Sequence, residues 1–210
     1  MKYNSNVLEE TEKTTEEAPE VPPAPTFQDA DLRAISLYGD LTEDKASELV
    51  YGLLILKDSA RLVQEEEEVY EVVDPIDFYI STYGGSAAEM FSLYDMMRFA
   101  KKDCDIHTIG LGKVFSAGTL LLAAGTKGKR TIGANCRVML HDVVSGHHGS
   151  LHNLENEVRE TRWTQKTYIK LMAQETKMTE KQVKSYINRK MNVYLTAQEA
   201  VELGIADEII

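Results

Sequence analysis

From residue 35 onward, the apolar positions of the chain switch repeatedly between short continuous runs and a helical spacing. ISLYGDL (35–41) predicts a strand and turn, and KASELVYGLLILKD (45–58) an amphipathic helix. QEEEEVYEVVD, with glutamates at 65–68, predicts a solvated loop. IDFYIST (76–82) predicts a buried strand running into Tyr83-Gly84-Gly85. Ser86 and Glu89 form a capping box ahead of a helix to Lys101, with Met90, Leu93, Met97 and Ala100 on one face. A strand over 104–112 and a short buried helix over 116–124, stopped by Gly125, come next. TKGKR predicts a turn and NCRVMLHDVV (135–144) another strand. A long polar helix is expected over 150–177. Thr179 with Gln182 and Thr196 with Glu199 open two more helices, and ADEII closes the chain as a strand. Such alternation predicts an α/β fold with a mostly parallel sheet and flanking helices.

Residues 1–26 follow no such pattern. They hold four of the chain's five prolines and six glutamates against two lysines, with few large apolar groups to offset ordering entropy. A disordered acidic tail is expected there, and a single folded domain over 27–210. The formal net charge of −11 leaves no basic stripe to neutralise phosphates, which argues against nucleic acid as a partner. The first residues lack a signal-type apolar region, and no apolar run reaches the length of a membrane span. Cys104 and Cys136 lack metal-type spacing and are expected as buried thiols in a reducing compartment, with a disulfide as the lesser alternative, so a cytoplasmic protein is expected.

Chemistry concentrates where strands end, the usual place for sites in open α/β sheets. Gly84-Gly85 allows backbone conformations closed to other residues and leads into a helix start, where N–H groups can face an anion or oxyanion. Ser116 follows a strand and opens a helix, so by position it is either an N-cap or a nucleophile. His141 lies at a strand end. Its neighbour Asp142 is not an obvious orienting acid, because adjacent strand residues point to opposite faces. His147, His148 and His152 cluster farther on, as a solvated, pH-sensitive loop or a weaker metal candidate. No cofactor motif is present, and no G-x-x-x-x-G-K-[ST] loop binds a nucleotide.

Together these segments resemble the ClpP family of self-compartmentalising serine peptidases. YISTYGG, FSAG with LLLAAGTKGKR, NCRVMLH and LTAQEAVELGIADEII carry the resemblance over about four-fifths of the chain. It implies the ClpP/crotonase-like fold with a protruding strand–helix handle, here about 143–177. It implies Ser116 as nucleophile and His141 as general base, with the N–H groups of Gly85 and Ala117 as oxyanion hole. The third triad position falls on Asn192, where the family has aspartate. An asparagine carbonyl can hold the imidazole but brings no charge to the imidazolium.

The resemblance further implies heptameric rings stacked in pairs, peptide and unfolded-protein substrates, and a Clp-type unfolding ATPase as partner. The acidic tail replaces the family's apolar axial segment and weighs against that last partner. The activity implied is serine endopeptidase. The alternative is an impaired or regulatory ring subunit assembling with an active homologue. A crotonase-like acyl-CoA enzyme would leave Ser116 and His141 unexplained.

Overall fold

The computed structural model describes residues 32–59, 61–65 and 68–210. The expected tail over 1–26 and the domain start at Phe27 lie outside these residues. In chain order the elements are β1 (Ala34–Leu41), α1 (Glu43–Asp58), β2 (Arg61–Glu65), β3 (Glu68–Val72), β4 (Ile76–Gly85), α2 (Ala87–Ala100), β5 (Ile106–Phe115) and α3 (Ala117–Ala123). They continue with β6 (Arg130–Ile132), β7 (Arg137–Leu140), α4 (Leu151–Glu175), α5 (Glu180–Ile187), β8 (Val193–Leu195), α6 (Ala197–Glu202) and β9 (Glu208–Ile209).

Seven strands form one sheet in the order β1-β4-β5-β6-β9, with β7 beside β5 and β8 beside β7. Every pairing in it is parallel except β7 with β8. The mostly parallel α/β architecture follows from burying continuous apolar runs on both faces. Phe78 and Ile80 of β4, Ile106 and Val114 of β5, Leu93 and Met97 of α2, and Leu120–Leu122 of α3 are all 0% exposed. One feature of β5 positions the site. Its first half pairs with β6 at Thr108–Gly110, and its second half with β7 at Lys113–Phe115. Gly112 lies between the two halves at φ 65°, where glycine bends the strand without a Cβ penalty. The end of β7 is thereby brought beside the end of β5.

Several elements differ from expectation. The glutamate-rich segment is no loop but a hairpin, β2 paired antiparallel with β3. Val63 opposes Tyr70 and Gln64 opposes Val69, so strand-forming residues on both arms outweigh the charge run. The TKGKR segment is a turn only as far as Lys129, because Arg130 opens the short strand β6. The strand predicted over 135–144 stops at Leu140. Residues 141–149 then run back along α4: the Val143 N–H donates to Gln165 Oε1 at 3.2 Å, and the Ser145 hydroxyl meets that of Thr161 at 3.1 Å. β8 was not anticipated, being three residues long.

Helix starts follow their caps. Thr179–Gln182 and Thr196–Glu199 form complete capping boxes, whereas at Ser86 the hydroxyl accepts from the Glu89 N–H at 3.4 Å. The apolar stripe of α4 divides. Tyr168, Ile169 and Met172 are buried, whereas Leu151 and Val158 toward the other end are exposed.

Candidate active site

Ser116 occupies the single-residue turn between β5 and α3, with φ 55° and ψ −118°. A non-glycine residue there holds about 1–3 kcal/mol of strain, which surrounding contacts must sustain. Its N–H donates to the Met139 carbonyl of β7 at 2.9 Å, and its own carbonyl accepts from the Thr119 N–H at 3.0 Å. The Tyr168 hydroxyl reaches that carbonyl too, at 3.4 Å. The Thr119 hydroxyl lies 3.1 Å from the carbonyls of both Val114 and Met139, tying the turn to β5 and β7. Ser116 sits at the N-cap position, yet its hydroxyl makes no capping bond. It points elsewhere.

That hydroxyl is 2.7 Å from His141 Nε2. His141 is the first residue past β7, and the parallel β5–β7 register, which pairs Phe115 with Met139, carries it to the serine. In the tautomer with the proton on Nδ1, Nε2 accepts from the serine, the arrangement a general base requires.

The glycine pair comes from the end of β4. Gly84 has φ 104°, and a Cβ on it would lie 2.6 Å from Ser116 Cβ. The absence of a side chain at 84 therefore makes room for the serine. Gly84 donates its own N–H to Thr82 Oγ1 at 2.9 Å, so that donor is committed. Gly85 passes so close to β1 that a Cβ would meet the Leu41 carbonyl oxygen at 2.2 Å. Ala117 is the first residue of α3, among the helix-start N–H groups that have no partner inside the helix.

Ser116, His141, Gly85 and Ala117 all line one cleft of about 320 Å³, together with Met90 and Tyr168. Four of the five residues singled out in the sequence are thus brought together. The fifth is not. The β7–β8 ladder ends at the Leu140–Val193 pair, one residue short of both His141 and Asn192. Asn192 is exposed and forms no hydrogen bond with the imidazole. Asp142 lines the cleft. Tyr168 and Tyr83, which also line it, were missed. Tyr168 adjoins the apolar stripe of α4 and carries no motif of its own.

Other reactive groups lie outside the cleft. Burial pushes the Cys136 thiol up to about 11 and raises Cys104 as well, which keeps both protonated and poorly nucleophilic at neutral pH. The two are unpaired. His147 faces Glu157 at 3.4 Å and His152 faces Glu155 at 3.9 Å, as pairs on the surface of α4. Among the described residues no three His, Cys, Asp or Glu side chains are grouped to hold a metal.

A serine on a strained strand-to-helix turn, with a histidine from just past the adjacent strand on its hydroxyl, is an arrangement that serine hydrolases use. A model of the Clp protease family matches residues 28–210 of the chain. The ATP-dependent Clp protease proteolytic subunit 2 of Corynebacterium jeikeium (strain K411) is 33% identical over 176 residues, covering 82% of this chain and 81% of that protein. The chain belongs to the Clp protease family.

Proposed function

We propose that the chain is a serine endopeptidase subunit of a ring-shaped compartmental protease. The observation that carries this is the 2.7 Å contact between Ser116 Oγ and His141 Nε2 inside a cleft that Gly85 and Ala117 also line. Ser116 Oγ attacks the scissile carbonyl carbon while its proton passes to His141 Nε2. The carbonyl oxygen takes up the displaced electron pair, and the N–H groups of Gly85 and Ala117 hold it. Collapse breaks the C–N bond, and His141 returns its proton to the departing amine. Water then attacks the acyl-enzyme by the same route and restores the serine. The Asn192 carbonyl steadies His141 through its Nδ1–H when the loop before β8 brings it in.

Family membership supports assembly into paired heptameric rings with peptide and unfolded-protein substrates. The relative's name describes an ATP-dependent protease, which supports an unfolding ATPase as partner here. Unpaired buried thiols support a cytoplasmic setting. The test is a fluorophosphonate probe on the full chain. Labelling of Ser116 that is abolished by His141→Ala is expected, and an unlabelled serine in the assembled particle would refute the reading.

A second reading has one observation in its favour. Asn192 makes no bond to His141, which suits an impaired or regulatory ring subunit acting beside an active homologue. Under that reading Ser116 fails to label, and activity appears only when the homologue is added.

A further inference from the structure

Beside the cleft, the ends of four strands carry a row of large side chains. Tyr83 of β4 lies one step beyond the Thr82–Val114 pair and so opposes Phe115 of β5. Phe115 pairs with Met139 of β7, and Met139 with Tyr194 of β8. The rings meet edge to face, Tyr83 on Phe115 at 5.9 Å and Phe115 on Tyr194 at 5.5 Å between centroids. Tyr83 is 61% exposed and Tyr194 48% exposed, so the outer rings are open to solvent. Lys113 closes the edge, its Nζ 4.4 Å from the centre of the Tyr83 ring. Aromatic rings aligned in contact, open to water and rimmed by a cation, form a surface suited to another ring or a large apolar side chain.

Its position says what occupies it. Phe115 is bonded directly to Ser116, and Tyr83 directly to Gly84. Of the three aromatic residues only Tyr83 lines the cleft. A peptide whose carbonyl rests on the Gly85 and Ala117 N–H groups puts its acyl-side residue into the cleft those groups line. Tyr83 alone joins that cleft to the row, so a peptide chain leaving the cleft over Tyr83 meets Phe115 and Tyr194. We infer that Tyr83, Phe115 and Tyr194 form the subsite for the residue on the leaving-group side of the cleaved bond, and that it takes aromatic or large apolar side chains. This rests on the peptidase reading above and deepens it by naming a substrate class. Tyr83 and Tyr194 are therefore specificity-determining residues.

The test uses two internally quenched peptides that differ only in the first residue after the scissile bond, Phe or Ser. With the full chain the Phe peptide is expected to be cleaved about tenfold better in kcat/KM, the scale a single apolar contact supplies. Tyr194→Ala should lower that ratio to about twofold, and Tyr194→Phe should retain it, because the edge-to-face contact needs no hydroxyl. A general folding defect lowers both rates and leaves the ratio alone. A ratio near one in the unaltered chain, or one that survives both Tyr83→Ala and Tyr194→Ala, overturns the inference. Equilibrium binding of the same peptides to Ser116→Ala protein, read by fluorescence anisotropy, separates the two levels. A chain that cleaves neither peptide but binds the Phe peptide about tenfold tighter keeps the subsite and loses the peptidase reading. Equal binding removes the subsite, whatever the hydrolysis.

Discussion

At the scale of single residues, the turn at Ser116 depends on what its neighbours lack. A side chain at Gly84 would overlap Ser116 Cβ and face a φ of 104° as well. Gly84→Ala should therefore displace the serine while leaving the core intact. Fluorophosphonate labelling is expected to slow about 100-fold with the circular dichroism spectrum unchanged, the cost of misplacing a reacting group by about 1 Å. Asn192 poses the opposite case, a residue just past the end of the β7–β8 ladder and unbonded to His141. An aspartate there would place a charge beside the developing imidazolium. Asn192→Asp is expected to raise kcat for peptide hydrolysis at least tenfold, within the limit of about 10⁴ that the reverse change costs chymotrypsin-type enzymes. An unchanged or lower rate would show that position 192 does not orient the histidine. That Ser116, His141, Gly85 and Ala117 share one cleft agrees with the expectation drawn from the YGG, FSAG and NCRVMLH segments. Tyr168 was not legible, since a phenol reaching a backbone carbonyl from a distant helix leaves no local pattern.

At the scale of elements, the long strands and helices were legible from periodicity, whereas β6 and β8 were not. β6 and β8 have three residues each, too few to show a period, and they exist because neighbouring strands offer an open edge. β6 is further held by a buried ion pair. Arg130, 3% exposed, binds Asp207 through Nε at 2.7 Å and Nη2 at 2.5 Å, and reaches the Glu175 carbonyl at the end of α4 at 2.7 Å. Burial by itself would raise the Asp207 carboxyl, but hydrogen bonds and charge from Arg130, with the Gly128 N–H, hold it below the ordinary range. A carboxylate depressed in the folded state stabilises fully above its unfolded value of about 3.9 and loses that contribution as pH falls through the folded value. Wild-type stability in urea should thus decline below about pH 4. Asp207→Asn should be less stable at pH 7 and flatter through that acid range. An equally steep decline in the variant would exclude Asp207 as the group responsible.

At the scale of the whole molecule, apolar surface remains uncovered. Leu151 (68% exposed) and Val158 (48%) on α4, and Tyr51 (66%) and Ile55 (49%) on α1, stay open to solvent. The proposed rings would cover such side chains where subunits meet. Val158→Asp is expected to reduce the particle mass in analytical ultracentrifugation while the subunit keeps its secondary structure. An unchanged mass would remove that half of α4 from the interface. The sequence by itself determined the α/β alternation, the capped helix starts, the small-residue turn at Ser116 and the family resemblance, because each is written in neighbouring residues. Only the tertiary structure decided which distant groups meet. The change of partner along β5 at Gly112 brings His141 to Ser116, and four strand ends align Tyr83, Phe115 and Tyr194, whereas Asn192 lies just past the end of the β7–β8 ladder and stays unbonded to His141. Those contacts are set by strand register and burial, which depend on segments up to about a hundred residues apart and so have no local signature.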